Sequence, residues 1–205
     1  MSGQNVISLR PHRRARTIAI DLGMVAMLII VAFEAMLFVG MVGAFMLTRS
    51  ADGAVWPPPG QPWFPLGETA VNTAALFASG ALVYRAARTW ENPEARIGPL
   101  LLSAIALGGF FLFFQGVVWM NLLGQGLSLT SSHHGQFFCI IVGMHAAHIV
   151  GALAFLGFVW LRLKPFRDDD LPARGALSSS AFSAARISWY FAVAIWPPLY
   201  LCLYL

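Results

Sequence analysis

The chain has 205 residues, 58% of them hydrophobic and 11% charged, with a formal net charge of +4. Soluble domains carry about 25% charged residues, so the composition excludes one. The basic residues flank long uncharged stretches rather than forming a nucleic-acid face, and the chain reads as an all-α membrane protein, a bundle of five transmembrane helices.

Residues 1–17 form a basic tail with Arg10, Arg13, Arg14 and Arg16. A basic tail before an apolar run resembles a secretory signal, and Arg13-Arg14 a twin-arginine signal. The run is too long for a cleavable core and no A-x-A-like site follows it, so the first helix is expected to be retained. It is predicted over about residues 18–47. At 1.5 Å per residue it reaches roughly 45 Å and must tilt or protrude. Glu34, the only acid deep inside an apolar span, sits near its middle. A charged group there costs about 2.5–3.5 kcal/mol on insertion scales. It is therefore read either as a functional acid or as a protonated carboxyl hydrogen-bonded to a neighbouring helix. No Lys or Arg lies inside a span to pair with it. A neutral carboxyl facing the bundle interior or a bound lipid is expected.

A stiff Trp- and Pro-rich loop, Trp56 to Pro65, suits the membrane interface. The second helix is predicted over about residues 69–88 and the third over 98–123, the latter with Phe110, Phe111, Phe113 and Phe114. The fourth is predicted over 136–163 and the fifth over 187–205, separated by a polar loop from Arg167 to Arg186. Twelve of the thirteen Lys and Arg residues fall on one side of this topology, and Arg49 alone on the other. The N-terminus is therefore expected inside and the C-terminus outside.

His145 and His148 stand three apart and share one face of the fourth helix. A haem held by two histidines needs ligands on opposite sides of the ring. No other span supplies a histidine, so inter-helix hydrogen bonding is the expected role. Gly143, Ala147 and Gly151, at steps of four, form a small-residue stripe expected to admit another helix closely. Asn72, Gln115, Asn121 and Gln125 read as polar packing groups. His133, His134 and Met120 lack the spacing of a defined copper site. Cys139 and Cys202 lie in apolar spans and read as small hydrophobes.

Together these residues resemble subunit III of the haem-copper oxidases, the cytochrome c oxidase subunit 3 family. Phe33-Glu34-Ala35-Met36-Leu37-Phe38-Val39-Gly40 resembles the family's acidic helix. Trp56-Pro57-Pro58 resembles its W-P-P loop, and Asn72-Thr73 with Ser79-Gly80 its N-T…S-S segment. Gln115 with Trp119 resembles its Q-x-x-E-W segment. The run from Gly135 through Gly143-Met144-His145-Ala146-Ala147-His148 to Gly151 is similar to G-x-x-F/Y…G-F-H-x-x-H-V-x-x-G. Trp189-Tyr190-Phe191 to Trp196 resembles W-H-F-V-D-V-V-W. The resemblance spans residues 22–205 and fits the five-helix bacterial form, which lacks the first two helices of the seven-helix version.

The resemblance implies a non-redox accessory subunit of a proton-pumping terminal oxidase in the bacterial inner membrane. It would hold no haem, copper or other metal itself, the haem and copper lying in the partner catalytic subunits. Its implied partners are oxidase subunit I, the other oxidase subunits and membrane phospholipid bound in a cleft lined by the Glu34 helix. Its implied role is to sustain proton uptake and protect the catalytic subunit during turnover. Val118 stands at the family's Glu, Tyr190 at its terminal-helix His, and Val193 at its Asp. Pro197-Pro198 interrupt the last helix and should kink it. These departures put the polar contacts between the last two helices in doubt. They point to a divergent branch fitted to an unusual oxidase or a respiratory supercomplex. An accessory subunit of a nitric-oxide reductase shares the motifs and remains the alternative. A small transporter, from another class, should show more intramembrane acids or an internal repeat.

Overall fold

The computed structural model describes residues 22–51, 59–90, 92, 95–163 and 176–204, with the side chains of 176–178 left out. The basic tail, Trp56-Pro57-Pro58 of the loop, and Arg167 and Arg174 lie outside the described residues. Five helices follow one another: α1 (Leu22–Ala51), α2 (Leu66–Arg88), α3 (Ile97–Gly124), α4 (His133–Leu163) and α5 (Ala176–Tyr204). Each is long and apolar enough to cross a membrane.

Four of the helices make a ring, with α2 against α3, α3 against α4, α4 against α5 and α5 back against α2. The ring closes on side chains rather than on a pore. Trp189 and Trp196 of α5, Phe111 of α3 and Leu76 of α2 are buried at its centre. The side chain of Trp189 crosses to α3, where glycine at 108 leaves room for the indole. A Cβ at Gly108 would lie 2.5 Å from Trp189 Cη2. Val193 packs in the same way onto Gly80 of α2. α1 lies outside the ring against α5 and, less extensively, α4. Only Phe38 and Phe45 are fully buried along its length; Met41 and Val42 also pack against the core, and much of its other apolar surface faces outward.

Several boundaries differ from the sequence expectation: α1 runs on to Ala51 instead of ending near 47, and α2 starts at Leu66 instead of 69. α4 starts at His133 instead of 136, and α5 at Ala176 instead of 187. Much of the segment expected to be a polar loop is thus helix. It is rich in Ala and Ser, and tertiary packing decides its state. Phe182 is buried and stacks on Trp90 at 4.1 Å between ring centroids. Ala185 is also buried, so this stretch has an apolar face that its serines conceal in the sequence. α5 also runs through Pro197 and Pro198 to Tyr204. Without N–H groups, the two prolines leave the carbonyls of Val193 and Ala194 without their usual helical donors.

Candidate functional site: a carboxyl–imidazole pair at mid-membrane

Glu34 is the thirteenth residue of α1 and faces α4. Its Oε2 lies 2.8 Å from Nδ1 of His148. The opposite ring nitrogen, Nε2, lies 3.1 Å from the carbonyl oxygen of Ser188 in α5. His148 therefore ties three helices together. A carbonyl oxygen only accepts, so Nε2 carries a proton. Nδ1 is thereby left facing the Glu34 carboxyl. The sequence expectation considers only Lys and Arg in the spans and leaves open a carboxyl bonded to a neighbouring helix. The partner is an imidazole, which a search of the spans for Lys and Arg passes over.

His145, one turn earlier, is buried, and its Nε2 lies 3.0 Å from the carbonyl oxygen of Ala192. Its ring also stacks on Trp196 at 5.0 Å. Two histidines three apart on α4 thus meet two carbonyls four apart on the antiparallel α5. This answers the doubt raised by Tyr190 and Val193. α5 lacks the family's polar side chains at those positions, yet its backbone carbonyls accept the α4 imidazoles. Each Nε2 is occupied by an α5 carbonyl. Among the described residues no three His, Cys, Asp or Glu side chains gather as a metal cluster.

The pair lies at the floor of a half-open groove of about 370 Å³ between α1 and α4. Met27, Ile30 and Leu37 form one wall, and Ala147, Gly151 and Phe155 the other. The Glu34 side chain is 30% exposed there and that of His148 only 7%. Gly143, Ala147 and Gly151 therefore do not act as one helix-packing stripe among the described residues. The Trp119 ring sits over Gly143, where an added Cβ would meet Cη2 at 2.9 Å. Ala147 is exposed in the groove, and a Cβ at Gly151 would have nothing within 4 Å.

Asn72 and Gln115, also singled out in the sequence, meet elsewhere, toward the end of the bundle formed by Leu66 and Tyr204. Asn72 Nδ2 donates to the Phe111 carbonyl at 3.0 Å, and Gln115 Nε2 donates to the Tyr204 hydroxyl at 2.9 Å. Trp196 Nε1 donates to Thr73 Oγ1 at 2.8 Å. Phe64, just before α2, stacks on both His134 and Phe138. Trp189 is fully buried, and its indole nitrogen has no hydrogen-bond partner. Sequence reasoning missed the α5 carbonyls and the Trp189–Gly108 contact. Backbone acceptors carry no residue signature. Gly108 is one of a Gly pair in a Phe-rich helix, which was the available signal.

A family model for cytochrome c oxidase subunit III matches residues 5–205. The chain is 32% identical over 185 residues to cytochrome c oxidase subunit 3 of Coturnix japonica, covering 87% of this chain and 67% of that one. It is 26% identical over 202 residues to a probable cytochrome c oxidase subunit 3 of Nocardia farcinica, covering 98% of this chain and 94% of the relative. A probable subunit 3 of Mycobacterium tuberculosis is 25% identical over 199 residues, with 97% and 93% covered. The bird protein is longer, whereas the two actinobacterial ones are nearly coextensive with this chain. A match over almost the whole length, on a five-helix membrane bundle, places this chain in the cytochrome c oxidase subunit III family.

Proposed function

We propose that this chain is the non-redox third subunit of a haem-copper terminal oxidase in a bacterial cytoplasmic membrane, with its N-terminus inside and its C-terminus outside. It packs against the catalytic subunit and steadies it through sustained turnover and proton uptake, while the redox centres lie in that partner. Phospholipid acyl chains lie in the groove between α1 and α4. The observation that carries this reading is the Glu34–His148–Ser188 tie, within a chain that matches the subunit III family over residues 5–205. It adds a polar contact between α1 and α4, whose seam is far less extensive than that between α1 and α5. A polar pair with one imidazole nitrogen committed to a backbone carbonyl suits a structural clasp better than a proton carrier. The nitric-oxide reductase reading shares the motifs, but the relatives at hand are named as oxidase subunits. The test is gentle purification of the chain from its native membrane. A haem-copper oxidase catalytic subunit should accompany it, and the chain stripped of partners should show no Soret band. A Soret band in the partner-free chain, or no oxidase subunit in the gentle preparation, would sink the proposal.

A further inference from the structure

Pro197 and Pro198 sit inside α5. A proline has no N–H, so neither donates to the carbonyl four residues earlier, that of Val193 or Ala194. Val193 turns inward and packs on Gly80 of α2. Ala194 and Pro198 are both exposed, and so is Leu201. Counted from Tyr204 at the end of α5, Ala194 stands roughly 15 Å inward at 1.5 Å per residue. The hydrocarbon core is about 30 Å thick, so the Ala194 carbonyl lies near its middle. Acyl chains offer no donor at that depth, and a backbone acceptor left open there is costly.

The helices around α5 leave this face open. Phe191 points to α1, where it meets Phe38 at 6.2 Å between ring centroids. Val193 points to α2, and the Ala192 carbonyl meets His145 of α4. At about 100° per residue, the outward arc from Val193 to Phe191 spans about 160°, and Ala194, Pro198 and Leu201 lie within it. α1 and α2 bound the arc. Each packs on α5, and among the described residues they do not pack on each other. Helices of equal width packed around a central one stand about 60° apart. The arc therefore has room for one more helix and not for two. The side chains of Ala194 and Pro198 are short, so a neighbouring backbone can approach closely there.

We propose that this arc seats a transmembrane helix of another subunit, which presents a serine or threonine hydroxyl to the Ala194 carbonyl. A hydroxyl is uncharged, fits at a close helix–helix approach, and donates across helices without disturbing the backbone bonds of its own. A lysine or arginine donor would bring a charge to mid-membrane with no acid of this arc to meet it. The two prolines thus free a backbone acceptor for a partner, at a depth where lipid cannot satisfy it. The inference rests on the reading of this chain as a subunit of a membrane complex, but it does not involve Glu34 or His148.

The test places a photo-crosslinking benzoylphenylalanine at position 201 of the full chain, in its native membrane. Irradiation should join it to a spanning segment of a different polypeptide, with a serine or threonine within about two turns of the joined residue. Pro198→Ala supplies the missing N–H to the Ala194 carbonyl. It should leave the thermal midpoint of the purified chain unchanged or raise it. It should nevertheless lower retention of that polypeptide about fivefold in graded detergent, the equivalent of one neutral hydrogen bond. Ala194→Leu fills the arc and should lower retention as well. Crosslinks to lipid alone, or to a second copy of this chain, would overturn the proposal. So would a lowered midpoint in Pro198→Ala, which would give the prolines a role in the chain's own fold. Unchanged retention in Pro198→Ala would overturn the carbonyl as the anchor, even where Ala194→Leu displaces the partner. A complex that keeps the oxidase catalytic subunit while position 201 meets only lipid would fail this inference and leave the proposed function standing.

Discussion

Removing one partner of the mid-membrane pair should cost far more than replacing it with a group that still donates. Glu34 Oε2 lies 2.8 Å from His148 Nδ1, and His148 Nε2 lies 3.1 Å from the Ser188 carbonyl. The carbonyl fixes the proton on Nε2, so a neutral His148 presents Nδ1 as an acceptor. In Glu34→Gln the amide N–H can donate to that acceptor at nearly the same reach, and the expected loss is below about 1 kcal/mol. Glu34→Ala leaves Nδ1 buried without a donor and should cost about 1–3 kcal/mol. His148→Ala removes both contacts and leaves the carboxyl in the groove without its imidazole partner, at a cost of about 2–5 kcal/mol. The double variant Glu34→Ala, His148→Ala should cost less than the two single changes added together, with a coupling of about 1–3 kcal/mol. The assay is loss of α1 protection during graded detergent denaturation of the assembled complex, read by proteolysis, together with the decay of oxidase activity over many turnovers. Glu34→Gln should match wild type in both, and Glu34→Ala should decay faster while starting at the same rate. Strictly additive single costs would refute the pairing. Immediate loss of activity in an assembled Glu34→Gln complex with intact partner haems would refute the clasp and make Glu34 a proton carrier.

Three further outcomes follow from other contacts. Gly108→Ala places a methyl 2.5 Å from Cη2 of the fully buried Trp189, and should lower stability by about 1–3 kcal/mol; Gly151→Ala, with nothing within 4 Å, should cost none, and comparing their thermal midpoints in one detergent checks the difference. Gln115→Leu removes the donor to Tyr204 and the acceptor near Asn72 Nδ2 at 3.5 Å, so it should cost about 1–3 kcal/mol by the same measurement. The twelve-to-one division of Lys and Arg predicts sidedness. With Cys139 and Cys202 replaced by Ala, a cysteine at Asn92 should react with an impermeant maleimide only from the cytoplasm, and one at Gly60 only from outside; the reverse pattern would invert the topology.

Sequence alone was enough for the class of the protein and the number of its spans. Apolar runs of membrane-crossing length have few alternatives once backbone hydrogen bonds must close within each segment. It was also enough to single out Glu34, because an acid in such a run is costly, and to put His145 and His148 on one face, because helix geometry is periodic. It could not give the partner of Glu34. That contact joins residues far apart in sequence and depends on how α1 leans against the ring. Nor could it show that α5 answers the histidines through the carbonyls of Ser188 and Ala192, since every residue carries the same backbone acceptor and only the packing of α4 on α5 selects two of them. The start of α5 at Ala176 was hidden for a related reason. Its serines read as loop until Trp90 stacks on Phe182 and gives that stretch an apolar side to bury. The small residues of α4 illustrate the same limit. Gly143, Ala147 and Gly151 share a stripe in sequence, but the tertiary fold sets Trp119 on the first and leaves the other two lining a groove, because helix periodicity fixes which residues share a face and only the neighbouring helices decide what covers it.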